Sequence, residues 1–159
     1  MAKLKWEGLE EYENQLLKLK NISRACIGEA IHEGAGIVAD AVKQATESLP
    51  IDNRMAKNGE QLNGVTVLQK QGLIESFGIA KLQDDGGYLN VKLGFDGYNS
   101  VSTQSYPSGQ PNAMIARSVN SGTSFRRRIP FVDDTVNAKK AACEAAMKKK
   151  FDEALSRAL

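Results

Sequence analysis

Three consecutive arginines, Arg126, Arg127 and Arg128, form the densest positive charge in the chain and are its best candidates for binding chemistry. They lie between Gly122 and Pro130, in a loop segment where neighbouring side chains can converge on one partner. A guanidinium presents a planar fork of N–H donors that suits carboxylates and phosphates. The triplet therefore predicts a contact with an acidic surface of another subunit or with a DNA backbone.

A second basic run, Lys148–Lys150, falls inside a helical pattern near the end of the chain. Successive residues of a helix point in different directions, so this run indicates a solvated helix face. The formal net charge is +2, and aromatic residues do not alternate with the basic ones. We therefore do not expect sequence-specific recognition of DNA.

Residues suited to catalysis are scarce. The single histidine, His32, lies in the middle of a helical pattern and is expected at the surface or half-buried. The serines do not occur in a G-x-S-x-G motif, and the glycines do not form a phosphate loop ending in GK[ST]. The acidic pairs Asp84–Asp85 and Asp133–Asp134 are better explained by turn formation and by helix capping. We expect a protein that is not an enzyme and that has neither a cofactor nor a metal site.

Composition indicates one soluble domain covering residues 1–159. The chain is 42% hydrophobic and 25% charged, and no stretch approaches the roughly 18 apolar residues that span a bilayer. The first twenty residues lack the apolar core of a signal peptide, which predicts a cytoplasmic product without membrane contact. Cys26 and Cys143 lie far apart in Ala-rich helical patterns, so both are predicted to be buried, reduced thiols.

Apolar spacing predicts two helices in the first third of the chain. The first covers Gly8–Lys20, with acidic residues early and basic residues late, which suits the helix dipole. The second starts at Asn21 or Ser23 and runs to about Leu49, where Pro50 ends it. Three glycines inside this second helix predict either close approach of another helix or subunit, or a break in the helix: Gly28, Gly34 and Gly36.

The remaining elements predict an α+β fold, with long N-terminal and C-terminal helices packed on a small antiparallel sheet. Two polar stretches, 51–64 and 96–111, are expected to be mobile loops. Between them we predict a helical turn at 68–76, an extended segment at 77–82 and a strand at 88–95, with a hairpin turn at 84–87. After them come a helix that starts at Pro111 and stops at Gly122, and a long helix whose N-cap is Asp133 or Asp134. One stripe of that last helix carries Cys143, Met147, Phe151, Leu155 and Leu159.

This order of elements resembles the small minor-tail, tail-completion or neck (head–tail joining) proteins of long-tailed bacteriophages. The similarity covers about residues 9–155. Its most specific parts are the Gly-Leu-x-x-Ser-Phe turn at Gly72–Phe77, the helix from Ala116 that ends in Gly122-Thr123, and Pro130-Phe131 before the last helix.

The resemblance implies a structural subunit of a virion, assembled in the host cytoplasm, that forms a ring at the head–tail junction or at the end of the tail tube. A hexameric ring is expected, in contact with tail-tube, neck or connector proteins and with DNA passing through its lumen. Tail terminator, tail-completion protein and connector-bound neck protein remain open, as do a complete phage and a tail-like bacteriocin. The alternative is a non-specific DNA-binding module that uses Arg126–Arg128 and Lys148–Lys150.

Overall fold

A computed structural model describes residues 9–159 of the protein, and the predicted helix start at Gly8 lies outside them. The fold is α+β, as predicted. The helices are α1 (Leu9–Glu47), α2 (Val67–Ser76), α3 (Asn112–Ser121) and α4 (Phe131–Ala158). The strands are β1 (Phe77–Ile79), β2 (Gln83–Asp85), β3 (Tyr88–Asn90) and β4 (Leu93–Phe95).

Helix α1 is continuous through the point where the sequence predicted a boundary. Asn21 and Ser23 are both helical, so the prediction of two helices is wrong. Each polar residue lowers helix propensity by less than about 0.7 kcal/mol, too little to interrupt a helix whose two sides are otherwise favourable. Val38 and Val42 of α1 are buried, whereas Ile27 is exposed.

Helices α1 and α4 pack antiparallel against each other along the inner part of α1. Arg157, near the end of α4, donates to both carboxylate oxygens of Glu29 at 3.0 and 2.8 Å. Farther along, a Cβ added at Gly34 would lie 2.5 Å from Cγ of Met147 and 2.8 Å from Sγ of Cys143. The glycine is therefore explained by close approach of another helix, which was one of the two predicted reasons.

The strands form a bent hairpin between α2 and the 96–111 segment. Strands β1 and β4 pair antiparallel near its base, and β2 and β3 pair antiparallel near its tip. The predicted turn closes the tip through Gly86 and Gly87, whose φ angles of 67° and 95° favour glycine. The carboxylate of Asp84 accepts from the backbone N–H of Gly87 at 2.7 Å, so this aspartate serves the turn as predicted.

The core lies where the C-terminal end of α1 and the start of α4 meet the two short helices α2 and α3. Its buried members are Leu49, Val65, Leu73, Ile115, Ala116, Val119 and Phe131. Phe95 of β4 stacks against Phe131 with ring centroids 6.0 Å apart, which joins the hairpin base to this core. Thr66 and Gln69 form a reciprocal capping box that begins α2.

The segment between α3 and α4 is short and tightly bonded. Helix α3 ends at Gly122, as predicted, and α4 begins at Phe131 with Pro130 as N-cap. The predicted N-caps Asp133 and Asp134 instead occupy the first turn of α4, so that prediction is wrong. The carboxamide oxygen of Asn120 accepts from the backbone N–H groups of Val132 and Asp133 at 3.0 and 3.2 Å, which supplies the cap from α3.

Candidate assembly site

The arginine triplet does not point in one direction. Arg126 is 4% exposed, whereas Arg127 and Arg128 are exposed. Backbone bonds hold the segment in place, because the N–H of Arg127 donates to the carbonyl of Leu62 at 2.9 Å and Leu62 donates to Phe125 at 2.8 Å. The triplet is thus split into one inward cation and two outward ones.

Arg126 lies against the capping box of α2. Its Nη2 donates to Oε1 of Gln69 at 3.3 Å, and Gln69 in turn donates to Gln110 at 2.8 Å. Its Nε and Nη1 have no hydrogen-bond partner among residues 9–159. Burial lowers the pKa of Arg126, and the nearby charge of Asp52 opposes that shift. Arg126 therefore ties the segment between α3 and α4, residues 122–130, which we call the joint, to α2, and its own charge is kept away from the surface.

The carboxylate of Asp52 pairs with Arg54 and not with Arg126. Arg54 donates to its two carboxylate oxygens at 2.9 and 2.8 Å, and the backbone N–H of Asn63 donates to it at 2.8 Å. The hydrogen bonds from Arg54 and Asn63 hold the pKa of Asp52 well below its usual range. These bonds fix both ends of the 51–64 segment, and the predicted mobility of its middle stays a prediction.

The outward arginines frame the start of α4. Nε of Arg128 donates to the carbonyl of Asn120 at 3.2 Å, and its Nη2 lies 3.5 Å from a carboxylate oxygen of Asp133. Arg128 therefore pairs with an acid of its own chain, while Arg127 extends to solvent beside it. That these two face a neighbouring subunit or a DNA channel remains a prediction.

A larger candidate surface is the outer half of α1, residues 10–24, which we call the arm. Its large apolar side chains are exposed: Tyr12 61%, Leu16 51%, Leu17 50% and Leu19 46%. Helix α1 has 39 residues and α4 has 28, and Arg157 of α4 reaches Glu29, so the arm extends past the end of α4. The sequence predicted the amphipathic helix but not the exposure of its apolar face. That exposure depends on where α4 ends beside α1, which no local sequence signal specifies.

A groove of about 480 Å³ adjoins the base of the arm. It lies between α1 and the hairpin tip and is lined by Lys20, Ser23, Arg24, Ile27, Gly87, Tyr88 and Leu89. Arg24 forms an ion pair with Asp84, which holds the hairpin tip against α1. The groove thus has apolar walls and a rim that carries basic side chains.

The other predicted groups lie apart from these surfaces. His32 is exposed on α1, as expected, and Lys148 and Lys149 are exposed on α4. Cys26 is buried, but Cys143 is half-buried, where burial raises the pKa of its thiol. Residues 9–159 contain no group of three or more His, Cys, Asp or Glu placed to hold a metal ion. Within the same range, none of the helices is both long and apolar enough to cross a membrane.

The chain matched no protein-family model, no curated protein and no solved structure. The resemblance to bacteriophage proteins therefore depends on the sequence pattern alone.

Proposed function

We propose that the chain is a structural subunit of a bacteriophage or phage-tail-like particle, which forms a ring at the head–tail junction or tail-tube end through protein–protein contacts. The observation that carries this proposal is the arm. A helix of about fifteen residues is marginal in water without packing, and contiguous exposed apolar surface marks interaction sites. An arm whose apolar stripe lacks a cover within residues 9–159 is suited to assembly with other chains.

The joint between α3 and α4 adds a second surface for assembly. Arg127 and Arg128 are presented by a segment fixed to Leu62, to Asn120 and to the start of α4. A rigid segment loses little conformational freedom on binding, which favours contact with acidic groups of a neighbour. With Arg126 buried, we assign the contact to Arg127 and Arg128.

The charge balance of the chain suits a ring with DNA in its lumen. A wall of strongly positive charge would retain the phosphates by releasing their counterions. The net charge of +2 spread over 159 residues gives no such wall on average. DNA would then pass the subunit without being read or held.

The proposal is tested by imaging and mass measurement of the chain alone and mixed with tail-tube or connector proteins. We expect rings or stacked complexes. Reversing both exposed arginines, R127E/R128E, should weaken assembly while the far-ultraviolet circular dichroism is retained and the stability falls by no more than about 1 kcal/mol, because the Arg128–Asp133 pair is exposed. A matched control reverses two exposed lysines of α4, K148E/K149E, and should assemble normally. A strict monomer that neither rings nor joins those proteins would contradict the proposal.

The salt dependence of duplex binding distinguishes the DNA-binding alternative from the structural role. It would use Arg127, Arg128 and the lysines of α4, and binding that neutralises several phosphates weakens steeply as salt rises. Tight binding to duplex DNA with a steep salt slope would favour that alternative. Absence of binding at low salt would leave the structural role.

A further inference from the structure

We propose that the arm binds the arm of a second copy of this chain, antiparallel, with each arm end seated in the groove at the base of the other arm. This inference goes beyond the proposed function and holds whether or not the chain belongs to a phage particle.

The stripe has the spacing of a two-helix seam. Tyr12, Leu16, Leu19 and Ser23 follow one another at intervals of four, three and four residues, which is the spacing of the contact positions in a coiled coil. The same spacing continues to Cys26 and Ala30, which are buried inside the protein. The seam is therefore covered from Cys26 inward and exposed along the arm.

Charge selects the orientation. The first turns of α1 are acidic, with Glu10, Glu11 and Glu13, whereas its third to fifth turns carry Lys18, Lys20 and Arg24. A parallel pair would bring the acidic turns together. An antiparallel pair places each acidic end beside the basic part of the other arm.

One register satisfies both the stripe and the charges. When Leu16 packs against Leu19 of the second copy, Tyr12 comes opposite Ser23 of that copy, and Glu13 comes beside its Lys20. Lys20 and Glu13 flank the same edge of the seam one heptad apart, so the two-fold axis creates the ion pair twice. The exposed leucines are then covered by leucines and the acidic flank by a basic one.

The groove completes the contact. In this register, the start of the second copy's α1 lies along residues 20–27, the part of α1 that lines the groove. The apolar walls formed by Ile27, Tyr88 and Leu89 are positioned to receive the ring of Tyr12 from the second copy. Lys20 at the rim faces its glutamates, while Arg24 stays paired with Asp84. The overlap of about 16 residues is roughly 24 Å long, which predicts a weak dimer of micromolar order.

A two-fold contact closes at two chains, because each arm is used by the other. A hexamer that contains this contact needs a second interface elsewhere on the domain. The pairing occupies the arm, so a ring that contains it would have to close through the contact at Arg127 and Arg128, and the variants L16E/L19E and R127E/R128E test the two contacts separately.

Sedimentation of the full chain from about 1 µM to about 500 µM tests the pairing over the range expected for a small interface. The unmodified chain should change from monomer to dimer, or to a larger even-numbered species. The variant L16E/L19E should remain monomeric throughout. The matched control is L17E, because Leu17 is as exposed as Leu16 but lies off the stripe, and it should associate as the unmodified chain does.

Charge exchange tests the orientation. E13K alone and K20E alone should each weaken association about tenfold, since two attractive pairs become repulsive. The double variant E13K/K20E should recover association, and so should an equimolar mixture of the two single variants. A parallel pair predicts neither recovery.

Four results would overturn the proposal. They are a monomer at all concentrations, an L16E/L19E variant that associates normally, an L17E variant that is as defective as L16E/L19E, and a charge exchange that fails to restore association. A monomer that instead binds lipid vesicles or a different protein through the arm would assign the stripe to that occupant and would also reject the second copy.

Discussion

The two halves of α1 belong to one continuous helix but differ in the size of the side chains along their apolar face. The inner half, residues 26–47, places small residues such as Ala30 and Gly34 against α4. The outer half, the arm, places Tyr12, Leu16 and Leu19 on its stripe and leaves them exposed. Small residues suit a close helix pair, and leucines suit a seam of ordinary spacing. The change in side-chain size along α1 agrees with the proposal that the two halves have different partners, α4 for the inner half and a second copy of the chain for the arm.

Helix length explains why the intrachain partner stops where it does. At 1.5 Å per residue, α1 is about 58 Å long and α4 about 42 Å. The end of α4 is fixed at Glu29 by Arg157. The arm, residues 10–24, therefore lies beyond the end of α4.

The largest effect should come from a bulky residue at Gly34. G34L introduces a side chain where Met147 and Cys143 already approach within 3 Å of the Cβ position, and we expect a loss of about 3 kcal/mol from overpacking. G36L is the matched control, because a Cβ at Gly36 meets nothing within 4 Å. Chemical denaturation should show G36L to be within about 1 kcal/mol of the unmodified chain. Equal losses in the two variants would contradict the close approach of α1 and α4.

Side-chain truncations, one in each half of α1, compare the contribution of the two halves to stability. Val42 is buried in the inner half, so V42A should lower the free energy of unfolding by about 2 kcal/mol. L16A on the arm should change it by less than about 0.5 kcal/mol when measured at concentrations where the chain is monomeric. Denaturant titration at low micromolar concentration distinguishes the two. A large loss in L16A would mean that the arm is covered within its own chain.

The arginines of the joint allow a second comparison, between buried Arg126 and exposed Arg127. Arg126 is buried with two nitrogens unpaired among the described residues, so R126M should raise the stability by about 1 kcal/mol by removing a poorly compensated charge. R127M, at an exposed position, should change it by less than about 0.5 kcal/mol. Thermal unfolding of both variants provides the measurement. Marked destabilisation by R126M would show that its bond to Gln69 outweighs the cost of burial.

The smallest expected effect is the pH dependence of stability that comes from Asp52. The folded state lowers the pKa of Asp52, so its contribution to stability is present above the ordinary aspartate pKa of about 3.9 and is lost as pH falls below it. D52N should lose that contribution at neutral pH and should show a shallower decline below about pH 4. Unfolding measured at several pH values from 7 to 2 tests this. Parallel curves for D52N and the unmodified chain would contradict the role of Asp52.

Local signals predicted much of the fold because the relevant contacts lie close in sequence. The hairpin turn at Gly86 and Gly87, the end of α3 at Gly122 and the α+β class all follow from short-range patterns. A non-local contact accounts for the wrong N-cap prediction. Asn120 caps α4 from a different helix, and a cap supplied from elsewhere removes the need for Asp133 or Asp134 at that position.

The candidate site was predictable in its residues but not in their directions. Three adjacent arginines could not all follow one direction once the backbone of the joint paired with Leu62, and Arg126 was turned toward Gln69. The arm shows the same limitation. Its stripe could be read from the sequence, but its exposure depends on where α4 ends, which is decided by tertiary contacts between residues far apart in the chain.

Hydrogen exchange at two protein concentrations tests most directly the claim that the two halves of α1 have different partners. At low micromolar concentration, amides of residues 10–24 should exchange much faster than those of residues 30–47, because unpacked helix opens readily. At several hundred micromolar, exchange in residues 10–24 should slow by about tenfold while residues 30–47 stay unchanged. Identical exchange in residues 10–24 at both concentrations would contradict the account.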